Sequence, residues 1–296
     1  MNMRACLEMI QRPLALILML VLTSCANVGG SGVDLNSLFS ALKNVKQAVK
    51  PADQQEEEQI GYATAATLLG AAKPINDPAV QEYVNKVGLW VALQSDRPNL
   101  PWHFAVVDSN DIDAFAVPGG YVFITRGLLL HMRSEAELAG ALGHEISHVV
   151  LKQQLKALQQ AAQLNLLGAA AQFELQQHGQ NTQLFNNVAN ATRNLYSKGL
   201  DKQDEFEADR MGVVLAARAG YDPYGLLAVL QTLETVDPKS NGMQLLLATH
   251  PAPAARVALL SAEMQAGHMD RYGRQVEGTR RYQQMIKTLV STSTRR

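Results

Sequence analysis

Two histidines one helical turn apart, with a glutamate directly after the first, stand in the segment ALGHEISHVV at residues 141–150. On an α-helix, His144 and His148 project from one face, so both imidazoles can bind a single zinc ion at about 2.0–2.1 Å. Glu145 is rotated by roughly 100° along the helix and can act as a general base toward a water activated by the metal. The alternative is that two histidines share a helix face by accident.

A second acidic helix can supply the missing ligand, because a catalytic zinc site takes three protein ligands and leaves one position for water. In DKQDEFEADRMG (201–212), Glu205 and Asp209 lie one turn apart, and Asp201 can cap the helix start. We predict that Glu205 ligates the metal and that Asp209 accepts a hydrogen bond from the far nitrogen of a ligand histidine. The alternative is an acidic helix face in solvent, and Glu207 is interpreted as a surface or structural carboxylate.

The helix that carries the histidines has a defined start. Ser134 followed by Glu137 forms the capping-box pattern, which predicts a helix running through residue 150 and beyond. The residues around the histidine pair are apolar nearly all round, which predicts that this helix is buried. Two buried histidines need polar partners, so burial favours the metal interpretation.

The rest of the pattern predicts a mostly α chain with a small β-sheet, an α+β fold. Only WHFAVVD (102–108) and YVFIT (121–125) are short aromatic and β-branched runs, and SNDIDAFAVPGG between them is interpreted as a turn-rich connection. Asp77-Pro78 predicts a helix N-cap and first-turn proline, followed by a stripe of valines. The pattern after Thr125 is helical to the end, with a break predicted near HGQN (178–181).

The N-terminus has the pattern of a bacterial lipoprotein signal. Two arginines precede the apolar run LALILMLVL (14–22), which is too short to span a bilayer as a permanent helix. The run ends at LTSC (22–25), which resembles the lipobox, so residues 1–24 are predicted to be a signal peptide and Cys25 the lipidated first mature residue. The alternatives are an ordinary signal peptide and an uncleaved anchor with an incidental cysteine.

Residues 25–50 are predicted to form a lipid-anchored tether and an amphipathic helix. ANVGGSGV (26–33) is small and flexible, and residues 34–49 carry apolar side chains at helical spacing that can dock on the domain or lie on the membrane. Because Cys6 lies in the signal peptide, no intramolecular disulfide is expected in the mature chain. The formal net charge of −1 without a basic run argues against a nucleic-acid partner.

Four segments resemble the gluzincin metallopeptidases of the CAAX prenyl protease and HtpX type (metallopeptidase family forty-eight), in particular its periplasmic lipoproteins. The family's edge-strand segment, metal helix, Glu-x-x-x-Asp helix and Thr-His-Pro segment correspond to NDIDAFAVPGGYVFITRGLL (110–129), SEAELAGALGHEISHVVLKQ (134–153), DEFEADRMGVVLAARAGYDP (204–223) and THPAPAARV (249–257). With their spacing, the segments cover about residues 55–265. Asp113 stands where the family often has asparagine.

The resemblance implies a zincin-type metalloprotease domain over residues 51–270, followed by a C-terminal helical extension over 271–296. It implies one zinc per chain and peptide hydrolysis, with Glu145 moving the proton. It also implies that the 121–125 strand receives the substrate as an added strand. This substrate-strand prediction covers Gly119, Gly120, Tyr121, Val122 and Phe123.

His250 is predicted to approach the metal, because Pro251 restricts it to an extended or turn geometry. In the family, the matching histidine can occupy the open metal position and hold the enzyme latent. Two alternatives remain open: His250 stabilises the tetrahedral intermediate, or it caps the helix that follows. The remaining histidines are interpreted as structural or exposed, and they are His103, His131, His178 and His268.

The leading hypothesis is a zinc endopeptidase anchored by lipid to the periplasmic face of the outer membrane. It would clear misfolded or extended proteins there, with the outer-membrane assembly machinery as a possible partner. One rival is a chaperone-like zinc-binding lipoprotein with little cleavage activity; Glu145, which such a protein often loses, favours the enzyme. Another rival is a metal-dependent hydrolase of a non-peptide substrate, against which the Pro-Gly-Gly strand segment argues.

Overall fold

The computed structural model describes residues 53–160, 199–267 and 275–293. The predicted signal peptide, Cys25, the tether with its amphipathic helix and the break at 178–181 lie outside the described residues. The elements run in the order α1 (Gln54–Ala71), α2 (Pro78–Ala92), β1 (His103–Val107), β2 (Ala114–Val117), β3 (Tyr121–Thr125), α3 (Arg126–His131), α4 (Glu135–Val150), α5 (Lys202–Arg218), α6 (Gly225–Glu234), α7 (Asn241–Thr249), α8 (Pro253–Ala266) and α9 (Thr279–Ser293). The fold is mostly helical with a small sheet, as predicted.

Local signals start the first two helices. A complete capping box begins α1, because Asp53 accepts from the backbone N–H of Glu56 while the Glu56 side chain accepts from the N–H of Asp53. Asp77 accepts from two backbone N–H groups at the start of α2, and Pro78 occupies the first turn, as predicted. The predicted stripe of α2 faces the core, where Val80, Val84, Val87 and Val91 are buried.

Within the described part of the chain, the sheet has three strands in the order β1-β3-β2. The central strand β3 pairs in parallel with β1 and antiparallel with β2. The prediction that residues 121–125 receive a substrate strand is therefore wrong, because both edges of β3 are already paired within the sheet. The strand at the edge opposite β1 is β2. It lies inside the segment that the sequence pattern assigned to a turn-rich connection.

Gly119 and Gly120, placed by the sequence prediction in the substrate strand, form the turn between β2 and β3. Their φ angles of 80° and 98° lie in the left-handed region, which glycine adopts without steric cost. A Cβ on Gly120 would lie 3.0 Å from the carbonyl oxygen of Pro101, so the turn also packs closely against the segment before β1. These two glycines therefore shape the hairpin that carries β2 past α4.

Helix α4 lies at the centre of the domain. Every residue of α4 except Val150 is buried, and the helix packs against α2, α5, α6 and the sheet. The main hydrophobic core runs along these contacts and includes Leu138, Leu142 and Ile146 of α4. A helix that is surrounded on all sides holds its polar side chains in fixed positions.

Residues 271–296, predicted as a helical extension, contain α9, which packs into the same core. Tyr282 is fully buried and its hydroxyl donates to the carbonyl oxygen of Leu129 at 2.7 Å. Met285 and Leu289 continue the buried face. The C-terminal helix is therefore part of the domain rather than an appendage to it.

Within the described residues, no single helix combines the length and hydropathy needed to cross a membrane, and only α7 and α8 taken together, at a bend of 55°, meet both conditions.

Candidate metal centre

The N-terminus of α4 is capped, though not by the full box that the sequence predicts. The Ser134 hydroxyl accepts from the backbone N–H of Glu137 at 3.2 Å. The Glu137 carboxylate instead accepts from the N–H of Arg133 at 3.0 Å, one residue before the cap. The helix still begins where the pattern places it, so its register and the spacing of its histidines are fixed locally.

Helices α4 and α5 touch backbone to backbone at a pair of glycines. A Cβ on Gly143 would lie 2.8 Å from the carbonyl oxygen of Gly212, and a Cβ on Gly212 would lie 2.7 Å from the backbone nitrogen of His144. Only glycine allows this approach, because real Cβ atoms do not come so close to backbone atoms. The contact brings Glu205, two turns earlier on α5, to the two histidines of α4.

The predicted ligands form one buried cluster with His250. The two Nε2 atoms of His144 and His148 are 3.1 Å apart, and the carboxylate of Glu205 lies 3.7 Å from the first and 3.6 Å from the second. Ligand atoms about 2.0–2.1 Å from a tetrahedral zinc would be about 3.3 Å apart. Oε2 of Glu205 is also buried without a hydrogen-bond partner among the described residues. Geometry, donor types and this unsatisfied oxygen all fit a metal ion.

The far nitrogens of both histidines are held by polar partners. Nδ1 of His144 lies 2.9 Å from the Asp209 carboxylate, as predicted, and Nδ1 of His148 lies 2.6 Å from the Oε1 of Gln153. Because these partners accept hydrogen bonds, each Nδ1 carries the proton and each Nε2 presents its lone pair to the cluster. Burial lowers the pKa of both histidines, which keeps them neutral and able to ligate.

Asp209 is bound by a buried arginine that the sequence interpretation did not identify. The guanidinium of Arg256 on α8 makes two hydrogen bonds to the Asp209 carboxylate and lies 3.3 Å from Nδ1 of His144. Burial alone would raise the pKa of Asp209, but Arg256 and His144 hold it well below its usual value. Asp209 is therefore a permanent carboxylate that orients the first histidine.

Glu145 lies beside the cluster without joining it. Its carboxyl is buried, 3.9 Å from Nε2 of His250, and accepts a hydrogen bond from the backbone of Ala116 in β2. Burial raises the pKa of Glu145 well above its usual value, and the neighbouring carboxyls of Asp113 and Glu205 raise it further. A buried carboxyl next to a metal cluster and a strand is placed to exchange a proton with a group bound between them.

His250 completes the cluster from the end of α7. Its Nε2 lies 3.7 Å from the Glu205 carboxylate, and its ring centre is 5.6 Å from that of His144. Nδ1 is 2.9 Å from the Thr249 hydroxyl and 3.7 Å from Asp113. The interpretation of His250 as a cap for the next helix is wrong, because the N-cap residue of α8 is Ala252 and no side chain makes a capping hydrogen bond there.

Asp113 is a buried carboxyl facing His250. Its Oδ1 has no hydrogen-bond partner among the described residues, and burial raises its pKa to about 8. The backbone N–H of Asp113 donates to the Thr125 hydroxyl, which fixes the residue at the start of β2. Asp113 is the residue that stands where the family often has asparagine, and its carboxyl lies 3.7 Å from Nδ1 of His250.

A cavity of about 180 Å³ opens beside the cluster. Glu145, His148, Glu205 and His250 line its polar end. Its other walls are apolar and consist mainly of Leu68, Ala72, Ala114, Phe115, Leu200 and Leu245. The cavity therefore places an apolar surface, bordered by β2, directly next to the candidate catalytic groups.

The two other histidines within the described residues, His103 and His131, take no part in the cluster. His103 stacks on Tyr121 in the sheet, with ring centres 4.9 Å apart, and Nδ1 of His131 bonds the carbonyl oxygen of Gly127 within α3. His178 and His268 lie outside the described residues. Sequence reasoning also missed Gln153 and Arg256. Both residues lie in segments that the resemblance singled out, Gln153 at the end of 134–153 and Arg256 in 249–257, but nothing in either segment assigned them a role.

Known proteins similar to this chain include several metalloproteases. The beta-barrel assembly-enhancing protease of Escherichia coli (strain K12) is 31% identical over 209 residues, which are 69% of this chain and 42% of that protein, so the chain spans less than half of that relative. The metalloprotease LoiP of the same organism is 26% identical over 247 residues, 83% of this chain and 93% of LoiP. The mitochondrial metalloendopeptidase OMA1 of Arabidopsis thaliana is 29% identical over 188 residues, 63% of this chain and 36% of OMA1.

The family comparison covers all residues of the metal cluster. The model of peptidase family M48 matches residues 78–264, which include both metal-bearing helices, the β2–β3 hairpin and the His250 segment. This match extends over more than half of the chain, and it agrees with the arrangement of His144, Glu145, His148 and Glu205. The chain therefore belongs to peptidase family M48.

Proposed function

We propose that this chain is a zinc-dependent endopeptidase that hydrolyses peptide bonds of misfolded or extended proteins. The observation that carries the proposal is the buried set of His144, His148 and Glu205 with Glu145 at its side. Two imidazoles and one carboxylate are a donor set typical of catalytic zinc, and a general base beside them is what peptide hydrolysis requires.

The side chains divide the chemical work. Bound zinc would polarise a peptide carbonyl and lower the pKa of water. Glu145 takes the proton of the attacking water and returns it to the leaving amine. Asp209 keeps His144 in the tautomer that presents Nε2, and Gln153 does the same for His148.

An extended substrate is supported by the position of β2. This strand is outermost in the described sheet, borders the apolar cavity and contacts Glu145 through Ala116. A substrate segment lying along β2 would place its scissile bond near the cluster and one side chain in the cavity. Large apolar side chains are exposed in unfolded chains and buried in folded ones, so this cavity selects misfolded substrates.

Peptides that differ only in the residue beside the scissile bond test this selection. We expect faster cleavage with leucine or phenylalanine than with alanine or aspartate, since the cavity walls are apolar. Ala72→Phe fills the cavity and should remove the preference, whereas Ala66→Phe on the exposed side of α1 should keep it. Equal cleavage of all four peptides by the wild type contradicts the selection.

His250 is proposed to gate the metal. A neutral imidazole in the open metal position excludes water, so catalysis would require the α7–α8 segment to move. The position of Nε2, 3.7 Å from Glu205, supports this role, because it lies as close to Glu205 as the other two histidines do. His250→Ala should then fold normally and raise proteolysis. A normally folded variant that loses about 10²–10³-fold in turnover supports stabilisation of the intermediate instead and contradicts gating.

The chain is proposed to act at the periplasmic face of the outer membrane, anchored through a lipid on Cys25. The lipobox-like LTSC segment supports lipidation, and Ala26 is not the aspartate linked to retention in the inner membrane. The name of the beta-barrel assembly-enhancing relatives supports the outer-membrane assembly machinery as a partner. Acyl labelling should be abolished by Cys25→Ser, and continued labelling of that variant rules out this attachment site.

A further inference from the structure

Gln153 joins the two helices that carry the candidate metal ligands. Its Oε1 accepts from Nδ1 of His148 at 2.6 Å, while its Nε2 donates to the backbone oxygen of Asp204 and to the Glu207 carboxylate, each at 3.2 Å. Asp204 directly precedes the ligand Glu205, and Gln153 itself is 2% exposed. One amide thus orients a ligand on α4 and ties it to the start of α5.

Gln153 is placed by an unusual backbone turn at Lys152. Among the described residues, Lys152 is the only one other than glycine with a positive φ, at 57°. This left-handed conformation is sterically unfavourable for residues with a Cβ. It separates the end of α4 from the helical segment 153–160, and so aims the Gln153 side chain back toward His148.

The buried carboxylate of Glu57 holds this turn. Its Oε2 lies 3.2 Å from Nζ of Lys152, and both oxygens accept from the Arg97 guanidinium at 2.8 and 2.9 Å. Arg97 also donates to the carbonyl oxygen of Val149 near the end of α4 at 3.0 Å. Glu57 itself is 1% exposed, and its bonds to Arg97 and Lys152 connect the C-terminal end of α4 to α1.

The same carboxylate reaches the substrate side of the domain. It accepts from the backbone N–H of Gly119, in the turn between β2 and β3, at 3.3 Å. Burial alone would raise the pKa of Glu57, but hydrogen bonds and charge from Arg97, with Lys152 and Gly119, hold it below its usual value. Glu57 is therefore ionised at neutral pH and bonded both to the hairpin and to the end of α4.

We propose that Glu57 and Lys152 are positioning residues for the metal site, acting through Gln153 on the ligand His148. Glu57 touches neither a candidate metal ligand nor the cavity, so its effect on the metal has to pass through the turn at Lys152. The inference rests on the proposed zinc site. It predicts that a carboxylate on α1 sets part of the zinc affinity. Removing a hydrogen-bond partner of a metal ligand lowers metal affinity by about 10–100-fold.

The test is the zinc affinity of the metal-free full chain, measured by competition with a chromophoric chelator. We expect Glu57→Gln and Gln153→Leu each to weaken zinc binding by about 10–100-fold. The matched control is Glu135→Gln, because Glu135 is also a buried carboxylate bonded to an arginine, Arg281, but at the opposite end of α4. Its zinc affinity should equal that of the wild type.

A rescue separates positioning from loss of general stability. Adding Lys152→Gly to Glu57→Gln makes the left-handed turn favourable without the carboxylate, so zinc affinity should recover. Lys152→Val disfavours the turn while the pair of Glu57 with Arg97 stays intact, and it should weaken zinc binding even if Glu57→Gln does not fold. Wild-type affinity in both Glu57→Gln and Lys152→Val overturns this inference. A wild-type chain that binds no zinc refutes the proposed metal site itself.

Discussion

Replacing Arg256 by methionine should lower the free energy of unfolding of the metal-free domain by about 3–5 kcal/mol. Arg256 is 4% exposed and makes two hydrogen bonds to Asp209, which is itself 2% exposed. Methionine fills much of the volume of the arginine stem but leaves the carboxylate buried without its cation. The loss of stability comes from leaving a buried charge unpaired, and it is larger than the net stabilisation that the intact ion pair provides.

This loss is large compared with the stability of a domain, which is about 5–15 kcal/mol. For a domain of about 150–250 residues, each kcal/mol shifts Tm by about 2–4 °C, so Tm should fall by roughly 6–20 °C. In Arg256→Met, the free energy of zinc binding should change less than the free energy of unfolding, because Asp209 keeps its contact of 2.9 Å with Nδ1 of His144. In Asp209→Asn, zinc binding should be weakened more than the fold, because the amide is a poorer hydrogen-bond acceptor for the ligand His144 than the carboxylate.

Urea unfolding in the presence of a chelator measures this prediction, with circular dichroism as the readout. The matched control is Arg210→Met, since Arg210 forms an exposed ion pair with Glu263 at 3.1 Å and is the residue after Asp209. Exposed pairs contribute about 0–1 kcal/mol, so the control should stay near the wild type. Combining Arg256→Met with Asp209→Asn removes both charges and should recover part of the lost stability. If Arg256→Met unfolds at the same urea concentration as Arg210→Met, the buried pair of Arg256 and Asp209 does not stabilise the fold.

Two further predictions concern the packing that holds the site. Gly212→Ala should push α5 away from Gly143 on α4, and so lower both the stability of the domain and its zinc affinity. Thermal unfolding measures the first effect and chelator competition the second. Unchanged zinc affinity would show that the backbone contact does not set the spacing of the metal ligands. Glu57, whose pKa is lowered by Arg97 and Lys152 despite its burial, should stabilise the fold above its ordinary pKa of 4.5 and lose that contribution as pH falls through its lower folded value. The stability difference between wild type and Glu57→Gln should therefore shrink below about pH 4.5 in urea titrations, and a difference that grows there contradicts the assignment.

The features that could be predicted from sequence are those encoded by neighbouring residues. Ser134, Asp77 and Asp201 cap helices because a side chain reaches backbone groups two or three residues away, and the structure bears out all three. The spacing of His144 and His148, and of Glu205 and Asp209, follows from the helical repeat once the helices are placed. Their meeting in one cluster depends on a long-range contact, which was predicted because a catalytic zinc needs a third protein ligand.

The features that could not be predicted depend on residues far apart in the chain. The run AFAV at 114–117 is short and follows turn-forming residues, and it becomes a strand only because β3 offers it a partner. The central position of β3 could not be predicted from its own composition, because it also depends on which strands pair with it. Arg256 meets Asp209 across 47 residues and Gln153 meets Glu207 across 54, and no local pattern reports such pairs.

Replacing Glu145 separates metal binding from catalysis, because Glu145 is the proposed general base and not a proposed metal ligand. The measurement compares wild type and Glu145→Gln for zinc content and for the rate of digestion of an unfolded casein-like substrate. The variant should bind one zinc per chain, since His144, His148 and Glu205 are intact, and its digestion should fall by at least about 100-fold. A Glu145→Gln protein that digests the substrate as fast as the wild type would contradict the account. A wild type that binds zinc and unfolded protein without cleaving it would favour the chaperone-like alternative.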